Sequence, residues 1–165
     1  MMKKVVILHS DVAPDAAEDE LDCLQQAEAI AQSLRKLNYE SIFLPFELNL
    51  NKIIKKLQSL KPLAVFNIVE TLASKGSLIY FAPAILDILQ IPYTGCGTQT
   101  MFQTSNKPLS KKIMHDTGIS TPDWIEQEGL SSQKDNAKTF LIKSSWEHAS
   151  IGLDKDSLIN YTSKA

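Results

Sequence analysis

Two lysines stand where a cation could meet phosphate. Lys107 opens a helix-forming stretch after Thr104-Ser105-Asn106, and Lys143 ends the apolar run Phe140-Leu141-Ile142. A lysine closing an apolar strand can push its ammonium into a cleft and serve phosphate oxygens as a point charge. A lysine at a helix N-terminus opposes the helix dipole, which a bound anion would relieve. With 17 Lys and Arg residues in the chain, the competing reading is two solvated surface lysines.

Two loops could complete such a site. Tyr93-Thr94-Gly95-Cys96-Gly97 follows the apolar Ile91, and its glycines would let main-chain N–H groups come close to a ligand. It lacks the full dinucleotide or phosphate-loop pattern, so an ordinary strand-to-helix turn stays open. Ser144-Ser145-Trp146-Glu147-His148-Ala149-Ser150-Ile151-Gly152 gathers hydroxyls, a carboxylate and an imidazole directly after the Lys143 strand. It could close over an anion, or Glu147 and His148 could be an exposed pair. Neither a second His nor a Cys is spaced to hold zinc with His148, and no metal ligand is assigned in this chain.

The elements that must position these groups alternate. Val5 to Leu8 reads as a strand buried on both faces, and Leu21, Leu24, Ala27, Ile30, Ala31 and Leu34 mark a helix. Ser41 to Leu44 reads as a second strand stopped by Pro45. Asn51 is the expected cap of a second helix carrying Ile53, Ile54, Leu57 and Leu60. A third strand is expected over Leu63 to Val69, a third helix over Leu78 to Leu89 despite Pro83, and a short strand at Pro92-Tyr93-Thr94. Ser105 or Asn106 should cap a helix running to Thr117, with Pro108 in its first turn and Gly118 just past its end. Gly129 to Lys138 reads as a polar loop before the strand at Phe140.

This alternation predicts an α/β fold with a Rossmann-like parallel sheet and right-handed crossovers, followed by a smaller incomplete unit. The expected division is residues 1–104 and 105–165, the second unit ending in a polar tail without a clear closing element.

Composition narrows the partners. Hydrophobic residues make up 44% of the 165, enough for a core at this length, and the net charge of -2 gives no reason to expect nucleic acid. Cys23 and Cys96 have no metal-ligand spacing and fit free thiols in a reducing compartment. The apolar runs are too short for a signal peptide or a membrane span, so a cytoplasmic protein with no membrane partner is expected.

Six segments now stand in register. Val65-Phe66-Asn67-Ile68-Val69-Glu70, Pro83-Ala84-Ile85-Leu86-Asp87, Ile91-Pro92-Tyr93-Thr94-Gly95, Thr104-Ser105-Asn106-Lys107, Gly118-Ile119-Ser120-Thr121-Pro122 and Leu141-Ile142-Lys143 with Glu147 to Gly152 occur in one order and spacing. In that order the chain resembles the D-alanine–D-alanine ligase-like ATP-grasp proteins. The resemblance implies a pre-ATP-grasp Rossmann-like substrate domain and the start of an ATP-grasp domain. It implies that Lys107 and Lys143 meet the ATP phosphates, that Ser150 is the hydroxyl of the phosphate-covering loop and takes part in catalysis, and that Glu70, Tyr93, Thr94 and Gly95 line the substrate side. It also implies ATP-dependent carboxylate–amine ligation. A carboxylate attacks the γ-phosphate, with ADP leaving, to give an acyl phosphate, from which an amine then displaces phosphate. Peptidoglycan biosynthesis, a small amino-acid substrate and a homodimer follow by the same resemblance.

The chain also departs from the family. His148-Ala149-Ser150 replaces a glycine-serine-serine loop, Asn67 to Gly76 replaces a glycine-rich segment, and none of Glu18, Glu20 or Asp22 aligns cleanly with the glutamate that meets the first D-alanine. The family's adenine contacts, catalytic arginine and Mg²⁺ ligands are expected beyond Ala165. The sequence therefore reads as an N-terminal fragment inactive alone, or as a free-standing Rossmann-like binding module. A receiver-type signalling domain is excluded, because Leu8-His9-Ser10 and Asn67 stand where it needs acidic residues.

Overall fold

The structure, a computed structural model, describes residues 2–12, 18–126, 138–146 and 153–161, with the side chains at 18–20, 138 and 159–161 left aside. The expected loop at Gly129 to Lys138 and the Glu147 to Gly152 loop, with Ser150, lie outside the described residues except Lys138. The chain divides into two compact units, Met1–Phe102 and Gln103–Ala165.

The first unit is built on a parallel sheet of β1 (Lys4–Ser10), β2 (Glu40–Phe46) and β3 (Ala64–Ile68) in the order β2-β1-β3. Val6 pairs with Ile42 on one side and Val65 on the other. Helix α1 (Glu18–Lys36) links β1 to β2, and α2 (Leu50–Leu60) links β2 to β3. Strand side chains alternate between faces. Ile7, Phe66 and Ile68 meet Ala27 and Ala31 of α1. Val6, Leu8, Leu44 and Phe46 meet Ile53 and Leu57 of α2, with Ala82, Ile85 and Leu86 of α3 (Phe81–Leu89). Helices on both faces explain why β1 is an unbroken apolar run.

Several local expectations are corrected. Strand β2 does not stop at Pro45 but runs through it to Phe46. The Glu40 N–H donates to Lys3 O at 3.0 Å, so even-numbered residues of β2 face β1 and Pro45 turns its nitrogen to the open edge, where no donor is needed. The cap of α2 is Asn49, not Asn51: its side chain accepts from the Lys52 N–H at 3.1 Å. Helix α3 starts at Phe81, after a 3₁₀ turn at Gly76–Leu78, which places Pro83 in the tolerated first turn. The strand expected at Pro92 to Thr94 is a single parallel bridge from Tyr93 to Val65. Between β3 and α3 the chain reverses at Ala73-Ser74. Both have positive φ (52° and 56°), closed by Lys75 N donating to Leu72 O at 3.1 Å.

Helix α4 (Thr98–Ser105), not anticipated from sequence, precedes α5 (Lys107–Asp116). In the second unit β4 (Lys138–Leu141) pairs antiparallel with β5 (Leu158–Tyr161), a strand within the tail read as lacking a closing element. The end of α5 follows expectation. Gly118 has φ +76°, and the Ile119 N–H returns to Met114 O at 2.8 Å. No helix among the described residues is long and apolar enough to cross a membrane.

Candidate functional site

Strand order places the groups of the first unit that were expected on the substrate side. The chain goes from β1 to β2 on one side and then to β3 on the other, so connections leave in opposite directions at the carboxyl ends of β1 and β3. In open α/β sheets that reversal opens a ligand crevice. Ser10, closing β1, is buried there, and its Oγ accepts from the N–H of Glu70 at 3.0 Å and of Thr71 at 3.1 Å. The Asn67 N–H donates to Thr94 Oγ1 at 3.1 Å, and the Thr94 N–H to Val65 O at 3.0 Å. The structure thus gathers Glu70 and Thr94 around the end of β3, both with exposed side chains. Ser10, which tethers the Glu70 loop, carried no sequence signal: the partners lie 60 and 61 residues apart.

Tyr93 is half-buried and faces another way. Its hydroxyl donates to Asp87 Oδ1 at 2.6 Å, while Thr98 Oγ1 donates to Asp87 Oδ2 at 2.5 Å. Gly95, between these two anchors, has φ +99°, a conformation that favours glycine. In the sequence Asp87 closes one of the six family-like segments, but nothing local to it marks Tyr93 and Thr98 as its partners.

These bonds set a pH window. The Thr98 hydroxyl, and then that of Tyr93, hold the Asp87 carboxyl below its ordinary 3.8. Burial, and then the bond to Asp87, push the Tyr93 phenol from 10.0 up to about 12. A depressed acid contributes stability above its unfolded value that is lost as pH falls through the folded one. A raised phenol contributes stability below its unfolded value that is lost as pH rises through the folded one. The arc from Tyr93 to Thr98 is therefore expected to hold from about pH 4 to about pH 10 and to loosen outside that range. Absorbance titration of the chain beside Tyr93→Phe checks this, with a phenol transition well above pH 10 expected in the parent and missing from the variant. The same titration curve above pH 10 in both proteins would contradict it.

The second unit holds the lysines. Asn106 caps α5, its Oδ1 accepting from the Leu109 N–H at 2.9 Å, with Pro108 in the first turn. Lys107 is the first helical residue, and its backbone N–H donates to Ser145 O at 2.9 Å. The structure so ties the start of α5 to the segment just after Lys143, whose side chain is exposed. Ser105, next to the cap, is 2% exposed, and its hydroxyl has no partner among the described residues. An open depression of about 850 Å³ against β2 and α2, lined by Phe43, Glu47, Lys52, Lys55 and Lys56 among others, shares no lining residue with these groups.

No family model matches the chain. It is 31% identical over 134 residues to the D-alanine–D-alanine ligase of Aquifex aeolicus, covering 79% of this chain and 44% of that protein. It is 24% identical over 133 residues to the corresponding ligase of Magnetococcus marinus, covering 81% of this chain and 40% of that one. The fold is similar to a solved D-alanine–D-alanine ligase of Bacillus anthracis, with a TM-score of 0.62 at 21% identity over 97% of this chain and 50% of that one. The same ligase complexed with ATP gives a TM-score of 0.56 at 23% identity, covering 76% and 38%. The chain spans less than half the length of these curated relatives. Over that stretch the chain is similar in sequence and in fold to part of the D-alanine–D-alanine ligases.

Proposed function

We propose that this chain carries part of an ATP-dependent carboxylate–amine ligase with D-alanine as the leading substrate. The likeness to the Aquifex ligase is the observation that carries this reading. Residues 1–104 serve as the pre-ATP-grasp substrate domain and residues 105–165 as the beginning of the ATP-grasp domain. Glu70, Thr94 and Gly95 face the amino acid, with Tyr93 at the base of the same loop. The position of Glu70 and Thr94 at the crevice where the strand order reverses supports this assignment.

Lys107 and Lys143 neutralise the ATP phosphates, and Ser150 adds a hydroxyl from the covering loop. Support comes from the first-turn position of Lys107 and from the exposure of Lys143 after β4. Positive charge fixed at the transferred phosphoryl group stabilises the charge that develops as an acyl phosphate forms. Mg²⁺ is a different matter. Among the described residues no three His, Cys, Asp or Glu side chains converge as metal donors, and no step is derived through the ion. A cytoplasmic homodimer in peptidoglycan biosynthesis is part of the same reading.

The 165-residue chain alone is expected to form no D-alanyl-D-alanine from ATP, Mg²⁺ and D-alanine. A longer ligase carrying it is expected to release phosphate in proportion to dipeptide. Dipeptide from the isolated chain would overturn the first expectation. A longer protein whose ATP hydrolysis no amino acid stimulates would sink the ligase reading.

A further inference from the structure

Asp87 occupies an electrostatically poor position. It lies in the last turn of α3, three residues before the left-handed Gln90 that ends the helix, where main-chain carbonyls already gather negative charge. A carboxylate there is favoured only if donors meet it, and two residues supply them, Tyr93 by its hydroxyl and Thr98 by its hydroxyl and its backbone N–H. The Tyr93 and Thr98 hydroxyls reach its two oxygens from sequence separations of 6 and 11 residues. One carboxylate thus grips both ends of the arc Thr94-Gly95-Cys96-Gly97. Beyond the second grip α4 begins, the Met101 N–H donating to Gly97 O at 2.9 Å. The near end of the arc is fixed to β3 through Thr94 and Val65.

We propose that Asp87 is a positioning residue, pinning Tyr93 and Thr98 so that the Thr94–Gly97 arc keeps one shape beside the amino-acid subsite. It touches no reacting atom. Its effect on ligand passes through Thr94 and Gly95, and this part rests on the ligase reading above. With its hydroxyl committed to Asp87, Tyr93 anchors the arc from behind, and the groups left for the amino acid are those of Thr94, Gly95 and Glu70.

Asp87→Ala separates local from global effects. Alanine is the better helix former and removes a charge that opposes the helix dipole, so α3 itself should if anything be steadier. Hydrogen exchange followed by NMR on the 165-residue chain is expected to show the hydrogen-bonded amides at the two ends of the arc, Thr94 and Met101, opening about 10-fold faster, with β1 amides unchanged. Tyr93→Phe and Thr98→Ala, each removing one grip, should give smaller accelerations at the same amides. Asp87→Asn, which keeps one oxygen acceptor, should recover part of the protection. In Asp87→Ala the late-titrating tyrosine should return toward its ordinary value. Unchanged exchange in the arc, or equal acceleration across the whole sheet, would overturn the proposal.

A D-alanine titration of the same samples tests the link to ligand. About 10-fold weaker binding in Asp87→Ala supports positioning, and equal binding in the two proteins refutes it. No binding by the parent chain would count against the substrate reading alone, since the exchange and tyrosine measurements still decide what Asp87 does.

Discussion

Lys143→Ala is expected to cut turnover of a complete ligase carrying this chain by on the order of 10²- to 10³-fold, the scale seen when one fixed charge or donor is removed from a developing anion. Stability should hardly move. Lys143 is exposed just beyond β4, and exposed substitutions of this kind stay within about 0.5 kcal/mol. Turnover of the complete enzyme and urea unfolding of the 165-residue chain check the two halves independently. Unchanged turnover would remove Lys143 from the phosphate site, and a large stability loss would make it a structural residue instead. Lys107→Ala should behave alike in turnover, since α5 is still capped by Asn106.

The parts of the site that could be read ahead of the structure are those set by chemistry local in sequence. Asn106, Pro108 and Gly118 announce where α5 begins and ends, which puts Lys107 in the first turn without any tertiary information. The alternation of apolar runs was enough for the class of sheet. What stayed hidden depends on neighbours far along the chain. Pro45 looks like a stop until the strand order shows that β2 is an edge. Asn49 and Asn51 are both plausible caps, and the exit from β2 decides between them. Helix α4 has only Met101 and Phe102 as large apolar side chains, too few to mark a face. The bonds from Asp87 to Tyr93 and Thr98 span 6 and 11 residues, spacings with no regular periodicity to betray them.

Phe46→Ala is expected to destabilise the chain by about 3–5 kcal/mol, as for large aromatic truncations in closed cores. Phe46 is 0% exposed, closes β2, and belongs to the cluster with Leu44, Ile53 and Leu57. That loss is a large share of the 5–15 kcal/mol typical of a whole domain. Urea unfolding should show the midpoint falling with an unchanged slope. A loss below about 1 kcal/mol would mean that α2 can close over the gap, and that the face between β2 and α2 is softer than its burial suggests.

The outward-facing nitrogen of Pro45 has a consequence for assembly. A foreign strand that tries to extend the sheet beyond β2 meets an edge whose ladder is interrupted one residue from its end. Chains collapsing together at high concentration during refolding therefore find a poor template on that side. The opposite margin, where among the described residues β3 is met by one bridge at Tyr93 and by the Thr94 hydroxyl, is where unwanted strand addition would start.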